Sequence, residues 1–434
     1  MPSSRLPARA SFAGSFLAGL LILPTVVACS SDGSKPGTGA AAGGAGTGED
    51  GGGRDGSGGA GGGAGGSAAG GDTGSGGGES GGAAGAGSFV EPTCDDVAAP
   101  LAWTLADPKI PDYSTDESAL GPYVKGFRGI AYGNGVFVAL AWSVSQNAIQ
   151  WATTEDGATW TPHRQDMASG VKFDDYGVIR YVGGRFVFFG AQDGALYAYT
   201  SADGTSWNGT LVNGTSPAIA AFDTSGPLTI ANGANAAMWS SPDLAAWSPE
   251  SVTTDTGFGY NDIAYGAGHW VATVNGLGGS SYTSTDGKKW TLIDGVASPG
   301  GAFVEFGRGL FILNGQGTYF TSTDGVTFTP GTPSTPAAGV LPGGVATFAG
   351  NRFLFEGLNA SFAYAYVATT DGVTYEDLGG PEHGRNDDGD VGTTMVAYGR
   401  CRYVTVGLRQ KANLTTGLIH YTPYVAYAPA APAP

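Results

Sequence analysis

The sequence predicts an all-β domain built from about seven repeats of a four-stranded unit. A short pattern recurs six times between residues 150 and 380: Ser or Thr, any residue, Asp, usually Gly, two more residues, then an aromatic. Its copies follow one another at intervals of 38 to 47 residues, which is typical of stacked supersecondary units. Between copies, short apolar runs alternate with Gly, Asn and Asp turns, and no stretch has the 3.6-residue apolar period of a helix.

The repeated pattern predicts a tight turn followed by an aromatic residue that packs between sheets. Gly accepts positive φ without strain, and an Asp carboxylate can accept hydrogen bonds from nearby backbone N–H groups. We therefore expect a structural role for the six aspartates Asp156, Asp203, Asp243, Asp286, Asp324 and Asp371. The aromatics four residues later should fill space between neighbouring sheets; they are Trp160, Trp207, Trp247, Trp290, Phe328 and Tyr375. Leu244 replaces the Gly in the third copy, so a different turn is expected there.

The third strand of each repeat runs into the turn, the fourth begins at the aromatic, and two further strands precede the third. The first has the form apolar, variable, aromatic, Gly, as in Ile263–Gly266, and the second is a short apolar run such as Phe311–Leu313. A seventh unit near residues 396–422 lacks its fourth strand, and Leu101–Leu105 supplies it, with Trp103 at the aromatic position. The sequence therefore predicts a seven-bladed β-propeller closed by its N-terminal strand, which leaves few free edges. A six-bladed ring is the alternative.

The repeated turn resembles the Asp-box, or BNR, repeat of sialidase-like β-propellers, and the likeness covers about residues 95–425. It differs in two respects. Gly follows Asp directly here, whereas the family places one residue between them, and the aromatic falls four residues after Asp instead of five. The resemblance implies that the turns join third to fourth strands at the blade periphery, away from the active face. Sialidase chemistry would need an arginine triad, a Tyr–Glu pair and an acid Asp, and the sequence offers no clear triad. Only Arg128, Arg164, Arg180 and Arg385 are expected to approach the face opposite the turns.

The N-terminus is predicted to be a targeting segment. Arg5 and Arg9 precede an apolar stretch, residues 12–27, and Ala28-Cys29 follows. This resembles a bacterial lipoprotein signal, which would make residues 1–28 a signal peptide and Cys29 the lipidated residue, with an ordinary secretory signal as the alternative. Residues 29–88 then form a Gly/Ala/Ser-rich disordered segment, read either as a tether or as a neutral spacer. The propeller is assigned to residues 89–425 and an Ala/Pro tail to 426–434.

Composition limits the partners. A net charge of −17 argues against nucleic acid, and contact with a membrane is expected only through the lipid anchor. We expect a monomer located in the cell envelope, in the outer membrane or on the cell surface. If Cys29 is lipidated, Cys94 and Cys401 remain as an even pair in an oxidising compartment, and their disulfide would close the ring. Two free thiols are the alternative.

Chemistry is harder to find in this sequence. No cofactor motif is present. The four histidines lack ligand spacing, and Asp387, Asp388 and Asp390 form only a weak candidate for calcium. Asp262 and Glu305 are the candidate catalytic carboxylates if the protein is a glycoside hydrolase.

Two functional classes remain open. The first, which we favour because the arginine triad is lacking, is a non-catalytic module that binds protein or glycan through the face opposite the turns. The second is a carbohydrate-active enzyme acting at the same face.

Overall fold

Seven four-stranded antiparallel sheets follow one another along the chain in the computed structural model. The structure describes residues 101–109, 124–143, 148–168, 173–214, 219–223, 226, 228–233, 238–250, 260–274, 279–298, 303–315, 318–332, 334, 341–358, 364–381, 390–412 and 419–429. The predicted all-β seven-bladed β-propeller is confirmed, and the six-bladed alternative is wrong. Residues 1–100, with Cys29 and Cys94, lie outside the described residues.

Each blade consists of consecutive strands, numbered in chain order. Blade 1 contains β2 (Val124–Gly133), β3 (Val136–Ser143), β4 (Ala148–Thr154) and β5 (Thr161–Asp166). Blade 2 contains β6 (Phe173–Val182), β7 (Arg185–Gln192), β8 (Ala195–Ser201) and β9 (Asn208–Asn213). Blade 3 contains β10 (Ile219–Asp223), β11 (Thr229–Gly233), β12 (Met238–Ser241) and β13 (Ser248–Glu250). Blade 4 contains β14 (Tyr260–Gly266), β15 (His269–Val274), β16 (Gly279–Ser284) and β17 (Thr291–Ser298).

The remaining blades repeat this plan, with one exception. Blade 5 contains β18 (Phe303–Gly307), β19 (Leu310–Gly315), β20 (Thr318–Ser322) and β21 (Thr329–Gly331). Blade 6 contains β22 (Leu341–Ala349), β23 (Arg352–Leu358), β24 (Tyr364–Thr369) and β25 (Glu376–Asp377). Blade 7 contains β26 (Asp390–Gly399), β27 (Arg402–Ala412) and β28 (Ile419–Pro429), and its fourth strand is β1 (Thr104–Ala106).

The ring is closed by β1. This strand pairs antiparallel with β28, with Thr104 opposite Tyr427, so the N-terminal strand completes the last blade as the sequence predicts. Trp103, just before β1, stacks on Tyr366 of blade 6 with ring centroids 5.3 Å apart. β28 continues to Pro429, into the stretch that the sequence assigns to an Ala/Pro tail.

Hydrophobic clusters fill the seven interfaces between adjacent blades. In one of them, Ala131 and Trp151 of blade 1 pack against Ile179, Phe186 and Trp207 of blade 2. Along each first strand, alternate side chains face the preceding and the following blade, because successive residues of a strand point to opposite sides. A residue's place in the alternation therefore decides which neighbour it meets.

The first strand of each blade lies beside the first strands of its neighbours, so these strands line the centre of the ring. The described residues contain strands, turns and bends, and they include no helix long and apolar enough to cross a membrane.

Candidate functional site

The six Asp turns join the third strand of a blade to its fourth, at the end of the ring where first strands also turn into second strands. We call this end the turn rim. In blade 1, Thr154 Oγ1 donates to Asp156 Oδ1 at 3.0 Å and accepts from Gly157 N at 3.0 Å. Asp156 Oδ1 also accepts from the backbone N of Ala158 and of Thr159, at 2.9 and 2.7 Å. The carboxylate thus holds the turn through its own backbone.

These hydrogen bonds favour the ionised carboxylates. In Asp324, donation from Thr327 N and Val326 N lowers the pKa to about 2. The same backbone bonds lower the pKa of Asp243 and Asp286. Partial burial works in the opposite direction at Asp156, Asp203 and Asp371, but hydrogen bonds outweigh it and the pKa is again lowered.

The third turn keeps the backbone conformation of the others, so the expectation of a different turn at Leu244 was wrong. Leu244 has φ 64°, close to the φ 70° of Gly157 at the same position. Asp243 Oδ1 still accepts from Ala245 N and Ala246 N, at 2.9 and 2.8 Å. The Leu side chain is buried against blade 2, which offsets the cost of a positive φ.

The aromatic residues after the turns contact apolar residues between adjacent blades. Trp160 packs with Val404 and Val406 of blade 7, and its Nε1 donates to Gly157 O at 2.9 Å. The others occupy the corresponding positions: Trp207, Trp247, Trp290, Phe328, Tyr375 and, before the closing strand, Trp103.

A second group of charged residues lies at the centre of the ring. Arg180 of β6, Asp223 of β10, Asp262 of β14 and Glu305 of β18 come from four consecutive blades and interact electrostatically with one another. We call these four residues the channel cluster. The structure therefore brings together the two candidate catalytic carboxylates, Asp262 and Glu305.

Two of these carboxylates are bonded to the backbone of the next blade. Asp223 Oδ2 accepts from Tyr265 N of blade 4 at 2.5 Å. Asp262 Oδ2 accepts from Val304 N of blade 5 at 3.1 Å, and its Oδ1 accepts from Ile263 N at 2.9 Å. The register of β14 shifts between Tyr260 and Asp262, an irregularity of the kind that re-aims a side chain. Both carboxylates are buried, with 6% of their surface exposed.

Glu305 has a different environment. It is half-buried and enclosed by the first strands. Loss of hydration raises the pKa of Glu305 to about 8; Arg180 opposes this rise, while Asp262 and Asp223 add to it. Loss of hydration likewise raises the pKa of Asp262 to about 6. At neutral pH Glu305 is therefore mostly protonated, whereas Asp262 is mostly ionised.

Arg180 supplies the positive charge of the cluster. Burial alone would lower its pKa, but Glu305, Asp223 and Asp262 together raise it. Its Nε is buried and has no hydrogen-bond partner among the described residues. The guanidinium interacts electrostatically with all three acids.

Other predicted residues lie elsewhere. Arg164 is on the fourth strand β5, not at the centre, and its Nε lies 2.6 Å from Asp166 Oδ1. Arg400 of the turn rim pairs with Glu155 at 2.8 Å, and Arg402 Nη1 donates to Asp156 O, so these two arginines join blade 7 to blade 1.

The calcium candidate is not tested by the structure. Asp387, Asp388 and Arg385 lie outside the described residues, and for Asp390 only the backbone is described. Within the ranges that are described, no three His, Cys, Asp or Glu side chains are placed to hold a metal ion. Several connections between consecutive blades also fall outside the described ranges, including 169–172, 251–259 and 382–389.

Comparison with known proteins supports the fold and goes no further. No family model and no curated protein matches this sequence. Among solved structures, the chain is similar to a catalytically inactive virginiamycin B lyase from Staphylococcus aureus with quinupristin. The TM-score is 0.50 and the identity 12%, over 75% of this chain and 99% of that one. A streptogramin B lyase gives a TM-score of 0.50 and 11% identity, over 76% and 98%.

A third similar structure is YCF48 bound to D1 peptide, with a TM-score of 0.47 and 13% identity over 77% of this chain and 98% of that one. At these identities, the similarity to the two lyases shows only that this chain shares their β-propeller fold.

Proposed function

We propose that this protein is a lipid-anchored envelope protein whose propeller binds a protein or glycan ligand and catalyses no reaction. One observation carries the choice of binding over catalysis. Asp262, the only one of the two candidate catalytic carboxylates that is mostly ionised at neutral pH, uses both oxygens to accept backbone N–H groups. These bonds hold the carboxylate against β14 and β18, which supports a structural role over one as a nucleophile or general base aimed at a substrate.

A second candidate, a glycoside hydrolase, has one observation in its favour. The environments of Glu305 and Asp262 separate their pKa values to about 8 and about 6. A protonated acid beside an ionised carboxylate is the arrangement that glycosidases use. The resemblance to Asp-box propellers leads to the same class.

A binding and turnover screen on the full chain in detergent separates the two classes. The chain is applied to glycan and peptide arrays and incubated with chromogenic glycosides, alongside Glu305→Gln. Our proposal predicts array binding and no turnover in either form. Glycoside turnover that disappears in Glu305→Gln, with array binding retained, would establish the hydrolase instead.

The anchor is proposed on the sequence alone. Arg5 and Arg9, the apolar stretch 12–27 and Cys29 match the lipoprotein pattern in order and spacing. Metabolic labelling with a fatty-acid analogue should mark the wild-type protein and leave Cys29→Ser unlabelled. Label in both forms would contradict the assignment of Cys29.

A disulfide between Cys94 and Cys401 is proposed for the closure. Cys401 lies in the turn between β26 and β27 of the blade that β1 completes, and Cys94 precedes β1 in the sequence. Constraining so long a loop stabilises a fold by roughly 5–6 kcal/mol in the entropic account. Peptide mass mapping without reductant should recover the two peptides linked by the disulfide. Two free thiols would contradict the proposed pairing.

A further inference from the structure

Charged side chains at one position of the first strands come from one side of the ring. One position of the first strand pairs with an apolar residue of the second strand in every blade, as Arg180 pairs with Val187. In chain order from blade 1 to blade 7, this position holds Ala131, Arg180, Asp223, Ala264, Glu305, Thr347 and Ala397. We call blades 2 to 5, which carry Arg180, Asp223, Asp262 and Glu305, the charged half. We call blades 6, 7 and 1, which are uncharged at this position, the neutral half.

The charged half is also where side chains join adjacent first strands. Asp223 bonds blade 3 to Tyr265 N of blade 4, and Asp262 bonds blade 4 to Val304 N of blade 5. Each carboxylate thus satisfies a backbone donor in the neighbouring sheet. Bonds of this kind are stronger when the acceptor is ionised. The packing of these blades is therefore linked to the charges at the centre.

We propose that the charged half of the ring is a proton-responsive element, in which loss of one proton from Glu305 weakens the attachment of blades 3, 4 and 5 to one another. No such response is expected in the neutral half, because its residues at this position, Ala131, Thr347 and Ala397, carry no titratable group. This inference is independent of whether the propeller binds or catalyses.

The physical reason is the balance of charge around Glu305. The charged groups that act on it are Arg180 from β6, Asp223 from β10 and Asp262 from β14. While Glu305 is neutral, the positive charge of Arg180 stabilises the negative charges of Asp223 and Asp262. Once Glu305 ionises, a third negative charge competes for the single guanidinium and repels both carboxylates.

The direction of the pH effect follows from linkage. Local opening returns Glu305 to water, where its ordinary pKa near 4.5 makes it release the proton that the closed state holds. Opening is therefore favoured as pH rises from about 5 towards 8. One proton of linkage shifts such an equilibrium by up to about tenfold per pH unit.

Hydrogen exchange on the full chain in detergent, followed by mass spectrometry at pH 5.5 and 7.5, tests this proposal. After correction for intrinsic exchange, peptides containing Tyr265 and Val304 should lose about tenfold or more in protection at the higher pH. Peptides from β2 and β26 should change little. In Glu305→Gln, which cannot ionise at this position, β14 and β18 should lose most of their pH dependence. A smaller part should remain, because Asp262 also has a raised pKa, about 6, and is linked to opening in the same way.

Two outcomes would overturn the proposal. One is an equal loss of protection in both halves of wild-type protein, a comparison that does not depend on the variant folding. The other is an unchanged pH response of β14 and β18 in Glu305→Gln. Thr347→Val, in the neutral half, is the matched control and should leave both halves as in wild type.

Discussion

The aspartates of the turn rim differ from Asp262 and Glu305 of the channel cluster in the sign of their pKa shifts. Asp324 at the rim is exposed and accepts backbone N–H groups, which hold its pKa at about 2. Glu305 at the centre is half-buried among the first strands, and loss of hydration raises its pKa to about 8. The two groups therefore give the free energy of unfolding opposite dependences on pH. Environment, not the number of acids, decides which carboxylates can hold a proton at neutral pH.

The largest effect should come from removing the ionisable group at the centre. The folded state keeps a proton on Glu305 that the unfolded chain loses above about pH 4.5, so wild-type stability should fall as pH rises from 5 to 8. At about 1.4 kcal/mol per pKa unit, the decline should reach roughly 3–5 kcal/mol. Glu305→Gln should match wild type at pH 5 and exceed it by that amount at pH 8, as measured by urea unfolding. Equal pH slopes would refute the unusual environment of Glu305.

The next effect concerns a hydrogen bond between blades. Asp262→Ala leaves Ile263 N and Val304 N without their acceptor, and should cost about 2–3 kcal/mol at pH 7. Asp262→Asn retains one acceptor and should cost about half as much. Asp166→Ala removes an exposed carboxylate from a surface ion pair and should change stability by about 0.5 kcal/mol or less. If Asp262→Ala were as mild as this control, Asp262 would not join blades 4 and 5.

A rim aspartate should matter less and should show the reverse pH dependence. Asp324→Ala removes the acceptor of Val326 N and Thr327 N, but water can replace it at this exposed site, so the loss should be about 1–2 kcal/mol at pH 7. Because the lowered pKa stabilises the fold only while Asp324 is ionised, the difference from wild type should shrink as pH falls from 4 to 2. A difference that grew on acidification would contradict the assigned hydrogen bonds.

The smallest effect is expected at the turn that lacks Gly. Leu244→Gly relieves a positive φ but loses a buried side chain, and the two should leave a net loss of about 1 kcal/mol. Gly204→Ala should cost more, because its Cβ would lie 2.6 Å from Val138 Cγ2 at φ 74°. Thermal unfolding of both variants gives the comparison. A stabilised Leu244→Gly would mean that the Leu side chain contributes little between blades 2 and 3.

The rim was predictable from sequence and the centre only in part. The fixed spacing of Asp and aromatic predicts the turn, the number of blades and the closing strand, because each depends on local chemistry repeated along the chain. The turn at Leu244 was predicted wrongly, because the seven residues of the pattern do not show that its side chain is buried against another blade.

Of the four residues at the centre, the sequence identifies three as candidates for a site away from the turns: Arg180, Asp262 and Glu305. It does not identify Asp223. Its blade lacks the aromatic-Gly ending that identifies other first strands, and Thr224 stands where Tyr265 stands in blade 4. Nor can sequence tell that these four groups act on one another. That depends on how first strands from different blades meet.

The most direct test is a carboxyl ¹³C NMR titration of the protein labelled at Glu and Asp side chains, with Glu305→Gln and Asp324→Asn used for assignment. The environments described predict that Glu305 titrates near pH 8 and Asp324 near pH 2. If both titrate near pH 4, like carboxyls in water, then neither the enclosed centre nor the hydrogen-bonded rim exists as described.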